Sequence, residues 1–450
     1  DTAFHPPIGP ELASWGVETM PGFRASNLDP APDLVVVGNV CRRDNPEAQA
    51  ALELGLPTVS FPGALESMFL TERRSFVVAG THGKTTTTAL VAHLLNASGL
   101  DPGLLVGGLP RNFDSSFRLG HEGGPFVIEG DEYDSAYFEK SPKFWRYRPH
   151  AVILTSIEHD HIDIYPDERA YVAAYDGLVE RIPEDGLLVA FAGDPLVREV
   201  AARARCRVIT YALSDDDCGD VAPLWTAAAA PPLGGSVPFD LFGGGSFLGR
   251  AHSPLSGRHN LRNTLAALAL AAEGAHADLA GLLRALGSFL GVKRRQELLG
   301  VVDGVRVYED FAHHPTAVEE TLRGLRERHP EGRLLCAFEP RSATASRRTH
   351  EAAYPAAFRF ADLSLIAPVG RPEIPDAERL CVQSVARAIA SRGREAAAPP
   401  SIEDCARSLV AASAPGDTIV LMSNGPFGGI YDQVLTGLAE RRIARRGSAR

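Results

Sequence analysis

Residues 76–95 constrain the fold of this chain more than any other stretch. Phe76-Val77-Val78-Ala79 is an apolar run of the kind that fills a buried parallel strand, and Leu90, Val91, Leu94 and Leu95 recur at helical spacing. Between them stand Gly80-Thr81-His82-Gly83-Lys84-Thr85-Thr86-Thr87. A strand, a glycine-bounded turn ending in Gly-Lys-Thr and a helix together make a phosphate-binding loop. Its glycines let backbone N–H groups approach an anion, and the helix N-terminus adds partial positive charge. Lys84 would reach the β- and γ-phosphates of a nucleotide, and the Thr85 hydroxyl would hold Mg²⁺. The common form of the motif has glycine where this chain has Val78, so the flanking strand and helix carry the specificity of the match. Lysine occurs only at 84, 140, 143 and 293 among 45 basic residues. In so arginine-rich a chain, lysine at 84 points to a site where a planar guanidinium fork cannot replace a compact ammonium.

At roughly 100–200 residues per domain, 450 residues correspond to about three domains. The rhythm of the chain agrees. Leu34 to Val37 reads as a short strand, Pro46 to Leu54 as a helix and Pro57 to Phe61 as a strand, which makes residues 1–72 a small Rossmann-like domain. Residues 73–291 carry the phosphate loop, strands at Phe126 to Glu129 and Ala151 to Thr155, a Pro- and Gly-rich antiparallel region from Thr226 to Gly249, and a helix from about Asn260 to Ala272. They predict a central P-loop ATPase-type parallel sheet. Residues 292–450 read as a second Rossmann-like unit, with a hairpin turning at Asp303-Gly304 and strands at Leu334 to Phe338 and Thr418 to Met422. The Arg-rich tail after Glu440 reads as a frayed helix end. The fold class is therefore α/β, in three domains.

The net charge of −11 argues against a broad nucleic-acid surface. Six scattered cysteines without a Cys-x-x-Cys pair predict reduced thiols in a cytoplasmic protein. No apolar run reaches the ~18–20 residues of a membrane span, so no membrane partner is expected. A monomer is expected. The chain opens at Asp1 on the turn-like His5-Pro6-Pro7, which predicts residues before it.

Acidic and histidine groups fall where α/β proteins bind ligands, beyond the carboxyl ends of strands. Glu129 ends one strand, within Glu129-Gly130-Asp131-Glu132, and His159, Asp160, His161 and Asp163 follow another. Carboxylate and hydroxyl oxygens suit Mg²⁺, while a histidine ligand points to a second divalent ion in a less strict site. His-Asp-His-x-Asp also approaches a dinuclear metallohydrolase signature, but Ile164 stands where that signature needs histidine. Ser256-Gly257-Arg258-His259-Asn260 opens a helix; Asn260 is either its N-cap or, with His259 and Asn263, a contact to a base or ribose. Lys293-Arg294-Arg295 lies at a domain junction, where arginine is well placed to close on a γ-phosphate. In Asp310-Phe311-Ala312-His313-His314-Pro315, the proline fits a first helical turn and leaves His314 as cap or cleft residue.

Taken together, Gly-Thr-His-Gly-Lys-Thr-Thr-Thr (80–87), Glu-Gly-Asp-Glu (129–132), Ile-Glu-His-Asp-His-Ile-Asp (157–163), Gly-Arg-His-Asn-Leu-Arg-Asn (257–263), Arg-Arg (294–295) and Asp-Phe-Ala-His-His-Pro (310–315) resemble the Mur ligase family, from about residue 1 to 430. The resemblance implies ATP-dependent amide-bond formation in peptidoglycan synthesis. ATP and Mg²⁺ would be the cofactors and UDP-N-acetylmuramate the acid substrate. Glu132 to Phe138 with Lys140 to Phe144, Glu339-Pro340-Arg341-Ser342 and Met422 to Gly429 are similar to the branch that adds a murein tripeptide; the L-alanine-adding branch is the alternative. A nucleotide-binding regulator without acyl chemistry is the alternative of another class. By resemblance, Gly80, Thr81, Gly83, Lys84, Thr85 and Thr86 cradle phosphate, with Thr85 on the first Mg²⁺. Glu129 and His161 hold a second. His259, Asn260 and Asn263 line the adenosine side, and Arg295 and Asp310 reach the γ-phosphate and ribose. His82, Asp131 and His314 lie on the substrate side, and Arg341 meets a carboxylate of the incoming peptide. Catalysis would fall to Lys84, Glu129, His161 and Arg295. The family's first strand and its Gly-rich loop for the UDP diphosphate have no counterpart in this sequence. A split ATP site further predicts a hinge at about Leu290 to Lys293.

Overall fold

The computed structural model describes residues 8–233, 235–371 and 373–448; the turn expected at His5-Pro6-Pro7 lies outside them. Near the start, strands Val35–Val37 and Thr58–Ser60 pair in parallel. The helix Pro46–Glu53 joins them, set by Pro46 at its first position and by the Asn45 side chain, which accepts from the Glu47 and Ala48 N–H groups.

The central sheet is large. In spatial order its strands are Ser246–Ser253, Val237–Gly243, Trp225–Ala229, Arg207–Leu213, Leu187–Phe191, Pro149–Leu154, Ser75–Ala79, Phe126–Gly130, Gly103–Leu105 and Phe117–Arg118. Every pairing from Trp225–Ala229 across to Gly103–Leu105 is parallel. The expected antiparallel region forms one edge. Strand Ser75–Ala79 lies in the middle and is buried throughout. Its alternation feeds two cores: Phe76 and Val78 pack with the helices Lys84–Ala97 and Arg258–Ala269, while Val77 and Ala79 pack with the helix Glu168–Val179. The helix expected from Asn260 begins at Arg258, with Gly257 as its N-cap at φ 88°, so Asn260 is not a cap.

The third sheet runs Glu297–Val302, Val305–Asp310, Thr418–Met422, Leu334–Phe338, Leu363–Ile366 and Glu395–Ala397. It is parallel after the first hairpin. Asp303 and Gly304 both take positive φ, as a two-residue hairpin turn requires. The tail after Glu440 is not frayed. Ile430–Ser448 is one helix, held because Arg441 Nε donates to Asp303 at 2.9 Å while its Nη1 reaches the Ser413 carbonyl at 2.6 Å.

Two sheets face each other through their carboxyl ends. The connection between them is pinned to the central unit as far as Lys293: Arg111 N–H donates to the Gly291 carbonyl and Lys293 N–H to the Leu109 carbonyl, each at 3.0 Å. The expected hinge at Leu290 to Lys293 is therefore occupied by backbone pairing. The chain is released only beyond it, where Arg294 and Gln296 take left-handed φ of 62° and 48°.

Candidate active site

The carboxyl ends of Ser75–Ala79, Phe126–Gly130 and Pro149–Leu154 lie side by side and deliver three loops to one place. The first is the phosphate loop. Gly83 has φ 81° and sits against Asn263, whose Oδ1 would lie 2.6 Å from any Cβ added there. Glycine is thus required both by the backbone angle and by the close approach. The helix Lys84–Ala97 starts at once, with no side-chain cap, so its first N–H groups are left for an anion.

Lys84 Nζ donates to the Gly80 carbonyl at 2.7 Å and lies 3.1 Å from Glu132 Oε2. Burial works against its charge, but the carboxylates of Glu132, Asp131 and Glu129 outweigh that and raise its pKa above the ordinary lysine value. Glu132 is fully buried, 0 % exposed. Burial pushes its carboxyl up, yet Lys84 and His161 hold it down to about 2. His161 Nε2 stands 2.9 Å from Glu132 Oε1. His161 is thus ion-paired to Glu132. His161 takes a left-handed φ of 52°.

Glu129 has other partners. Its Oε1 accepts from Thr85 Oγ1 at 2.7 Å and its Oε2 from the Gly107 N–H at 2.6 Å. Burial and the Asp131 charge raise its pKa. Arg295 arrives from the far side and donates from Nη2 to Thr85 Oγ1 at 2.9 Å. Its guanidinium lies over the Phe311 ring, 4.7 Å from the centroid, and burial lowers its pKa. Thr85 and Glu129 thus present two hard oxygens at a helix N-terminus, the donor type that Mg²⁺ prefers.

Beside the loop lies a cavity of about 580 Å³, well within the range of ligand pockets. His82, Gly83 and Thr86 line one end, His259, Asn260 and Asn263 another, and Arg295, Asp310 and Thr321 the third-sheet side. Asn260 Nδ2 donates to the Ser256 carbonyl at 2.8 Å, and Asn263 Nδ2 to Asn260 Oδ1 at 3.3 Å. Asp310 already accepts from the Gln296 and Ala312 N–H groups, at 2.7 and 2.8 Å. The expected ribose contact is therefore also a brace for its own loop. Thr81 and His82 rest on the 155–158 segment: Thr81 Oγ1 donates to the Glu158 carbonyl at 2.9 Å.

Other expected residues have these partners. Asp131 pairs with Lys143 Nζ at 3.2 Å. Arg341, after the strand Leu334–Phe338, lies 3.5 Å from Glu339 Oε1, and its carbonyl accepts from Arg371 Nε at 2.9 Å. His314 is the N-cap residue of the helix Pro315–Arg328 but makes no side-chain cap bond. Its ring turns into the cleft against His82, 4.9 Å between centroids. Residues given no individual role from the sequence join the site. Glu158 Oε1 accepts from Thr316 Oγ1 at 2.7 Å, and Asp160 Oδ1 from Thr344 Oγ1 at 2.6 Å, both across the cleft. Glu320 Oε2 lies 3.3 Å from His259 Nδ1 at the cavity wall. Glu158 and Asp160 sit inside a quoted motif, so their alternation with the histidines was the available signal; Thr316, Thr344 and Glu320 carried none.

Three family descriptions match the chain: Mur ligase family, catalytic domain, over residues 6–73; Mur ligase middle domain over 78–271; and Mur ligase, glutamate ligase domain, over 294–425. The chain is 36% identical over 447 residues to the UDP-N-acetylmuramate–L-alanyl-γ-D-glutamyl-meso-2,6-diaminoheptandioate ligase of Escherichia coli, covering 99% of this chain and 93% of that protein. It is 34% identical over 421 residues to the UDP-N-acetylmuramate–L-alanine ligase of an Arthrobacter species, covering 91% and 83%. The crystal structure of a murein peptide ligase from Psychrobacter arcticus superposes with a TM-score of 0.69 at 32% identity, covering 98% of this chain and 92% of that one.

Proposed function

Because the chain belongs to the Mur ligase family, we propose that it joins UDP-N-acetylmuramate to L-alanyl-γ-D-glutamyl-meso-diaminopimelate at the expense of ATP. The observation that carries the reading is Arg295 reaching Thr85 from beyond the junction, which completes an anion site begun by Lys84 and the helix N-terminus. The choice of tripeptide over L-alanine rests on the similarity to the Escherichia coli ligase and on the stretches at 132–144, 339–342 and 422–429. The domains divide near 72 and 291. The site works in the cytoplasm, where ATP is at hand, in a monomer.

A carboxylate is a poor electrophile, so amide formation needs it activated. One lactyl carboxylate oxygen attacks the γ-phosphorus, the bond to the β-bridging oxygen breaks, and ADP leaves. The amine of the tripeptide then attacks the acyl phosphate carbon, the C–O bond to phosphate breaks, and the amine loses its proton. Lys84 and Arg295 supply fixed positive charge along the transferring phosphoryl group. Thr85 and Glu129 would hold Mg²⁺, which neutralises phosphate charge when bound. Glu132 keeps Lys84 charged and aimed. His161, bonded to Glu132, positions that pair. His259, Asn260 and Asn263 receive the nucleoside, with Glu320 orienting His259. Thr316 and Thr344 close the cleft over Glu158 and Asp160, and closure keeps water from the acyl phosphate.

The test is phosphate release. It should require ATP, UDP-N-acetylmuramate and the tripeptide together, and L-alanine should replace the tripeptide poorly. Release that ignores the muramyl substrate would refute the ligase reading; equal or better turnover with L-alanine would reassign the acceptor.

A further inference from the structure

One histidine in the cleft is not accounted for by this chemistry. His314 is 5 % exposed, and neither of its ring nitrogens has a hydrogen-bond partner. Its ring packs between those of His82 and His350, at centroid distances of 4.9 and 4.5 Å. A buried polar group without a partner is costly unless a ligand takes it. His314 Nδ1 points at Glu158, 3.6 Å from Oε2, and His82 Nε2 lies 2.6 Å from the same oxygen. The ligand atoms of all three residues fall within 4.8 Å of one another, the one such group of His, Cys, Asp and Glu among the described residues.

We propose that His82, Glu158 and His314 form a binding site for a divalent transition metal, separate from the oxygen pair of Thr85 and Glu129, and that the ion clasps the central unit to the third sheet. Two imidazoles and a carboxylate suit Zn²⁺ or Co²⁺, whereas Mg²⁺ favours oxygen alone. Donors about 2.0–2.1 Å from a tetrahedral ion stand roughly 3.3–3.5 Å apart. The His314–Glu158 spacing of 3.6 Å needs to close by only about 0.1–0.3 Å, and the His82–Glu158 hydrogen bond opens by less than about 1 Å once its proton leaves. Outer contacts hold the donors: Thr316 Oγ1 bonds the other Glu158 oxygen at 2.7 Å, and the Glu158 N–H donates to Thr81 Oγ1 at 2.8 Å. His82 and Glu158 line the cavity, which leaves the remaining coordination position open to water or ligand.

The metal-stripped 450-residue chain, without nucleotide, should bind one equivalent of Co²⁺ and show the visible absorption of a low-coordinate site, displaced by Zn²⁺. His314→Gln and Glu158→Gln should each weaken Co²⁺ binding at least about tenfold. Thr85→Val, at the oxygen pair, should leave the band in place. Because His314 is packed among neighbours, His82→Gln on the open side is the second variant, with circular dichroism checking that each is folded. The absence of Co²⁺ binding to the wild-type chain overturns the site. So does a band that survives both histidine substitutions, or one lost in Thr85→Val. The optical readout needs no ligase turnover, so a failed metal site and a failed ligase reading are told apart.

Discussion

Glu132 is the side chain whose loss should register most clearly in stability. It is fully buried and carries both Lys84, 3.1 Å away, and His161, 2.9 Å away. Its carboxyl stands at about 2 against an ordinary 4.5, despite burial pushing the other way. At about 1.36 kcal/mol per pH unit, that gap is on the order of 3 kcal/mol. The folded pKa is depressed, so the unfolded chain takes up the proton first as pH falls. The stabilisation is complete above 4.5 and is lost between 4.5 and about 2. Glu132→Gln keeps the shape and removes the charge, leaving Lys84 and His161 without their buried anion. It should therefore cost on the order of 3 kcal/mol at pH 7, in line with breaking a buried pair from one side. The difference from wild type should shrink toward zero near pH 2–3, in the window set by the depressed carboxyl. Urea unfolding followed by tryptophan fluorescence is a suitable assay, since Trp145 and Trp225 both belong to the central unit. A variant as stable as wild type at pH 7 would refute the reasoning. So would a deficit that stays constant down to pH 3.

Four further outcomes are expected. Lys84→Ala should abolish ligation while circular dichroism shows a folded chain; a folded variant with normal turnover would sink the assignment. Arg295→Ala should lower kcat by roughly 10³-fold or more if the guanidinium neutralises the transferring phosphoryl group, which steady-state kinetics with saturating ATP measures. Asn263→Leu should raise KM for ATP more than it lowers kcat, because the residue packs on Gly83 and lines the cavity; an unchanged KM would remove it from the nucleotide side. Small-angle scattering should show compaction on adding ATP analogue with UDP-N-acetylmuramate, and a constant radius of gyration at saturation would count against closure.

What the sequence showed was mostly local. The strand, glycines, lysine and helix of the phosphate loop are contiguous, so their physics could be read from spacing alone. The hairpin at Asp303-Gly304 was legible for the same reason. Long-range pairing was not. The tail helix is held by Arg441 on Asp303, 138 residues apart, and nothing in an arginine-rich run names its acceptor. Glu129-Gly130-Asp131-Glu132 offers three carboxylates within one turn. Which of them meets His161 depends on how the chain leaves the strand Phe126–Gly130. The pairing of 109–111 with 291–293 was equally invisible, and it ties the segment expected to be the hinge to the central unit.

That pairing gives the junction a simple logic. Lys293 is the last residue whose backbone is bonded to the central unit. The next, Arg294, belongs to the third sheet, where its Nε donates to Glu309 at 2.6 Å and its Nη2 to the Gly425 carbonyl at 2.6 Å. Arg295 then turns back to Thr85. Adjacent arginines therefore grip opposite sides of the cleft. The left-handed backbone at Arg294 and Gln296 is the strained element between them, at a cost of order 1 kcal/mol each. The direct bonds across the cleft are polar: Thr316 to Glu158, Thr344 to Asp160, Arg328 to Ser256 and Arg295 to Thr85, with Glu320 against His259. Each contributes only about 0.5–3 kcal/mol net, the charged ones most. Strain at the junction offsets part of that hold. A phosphate bridging Lys84 and Arg295 would add charge-assisted contacts across the cleft, and closure would then be coupled to the substrate whose activated form must be kept from water.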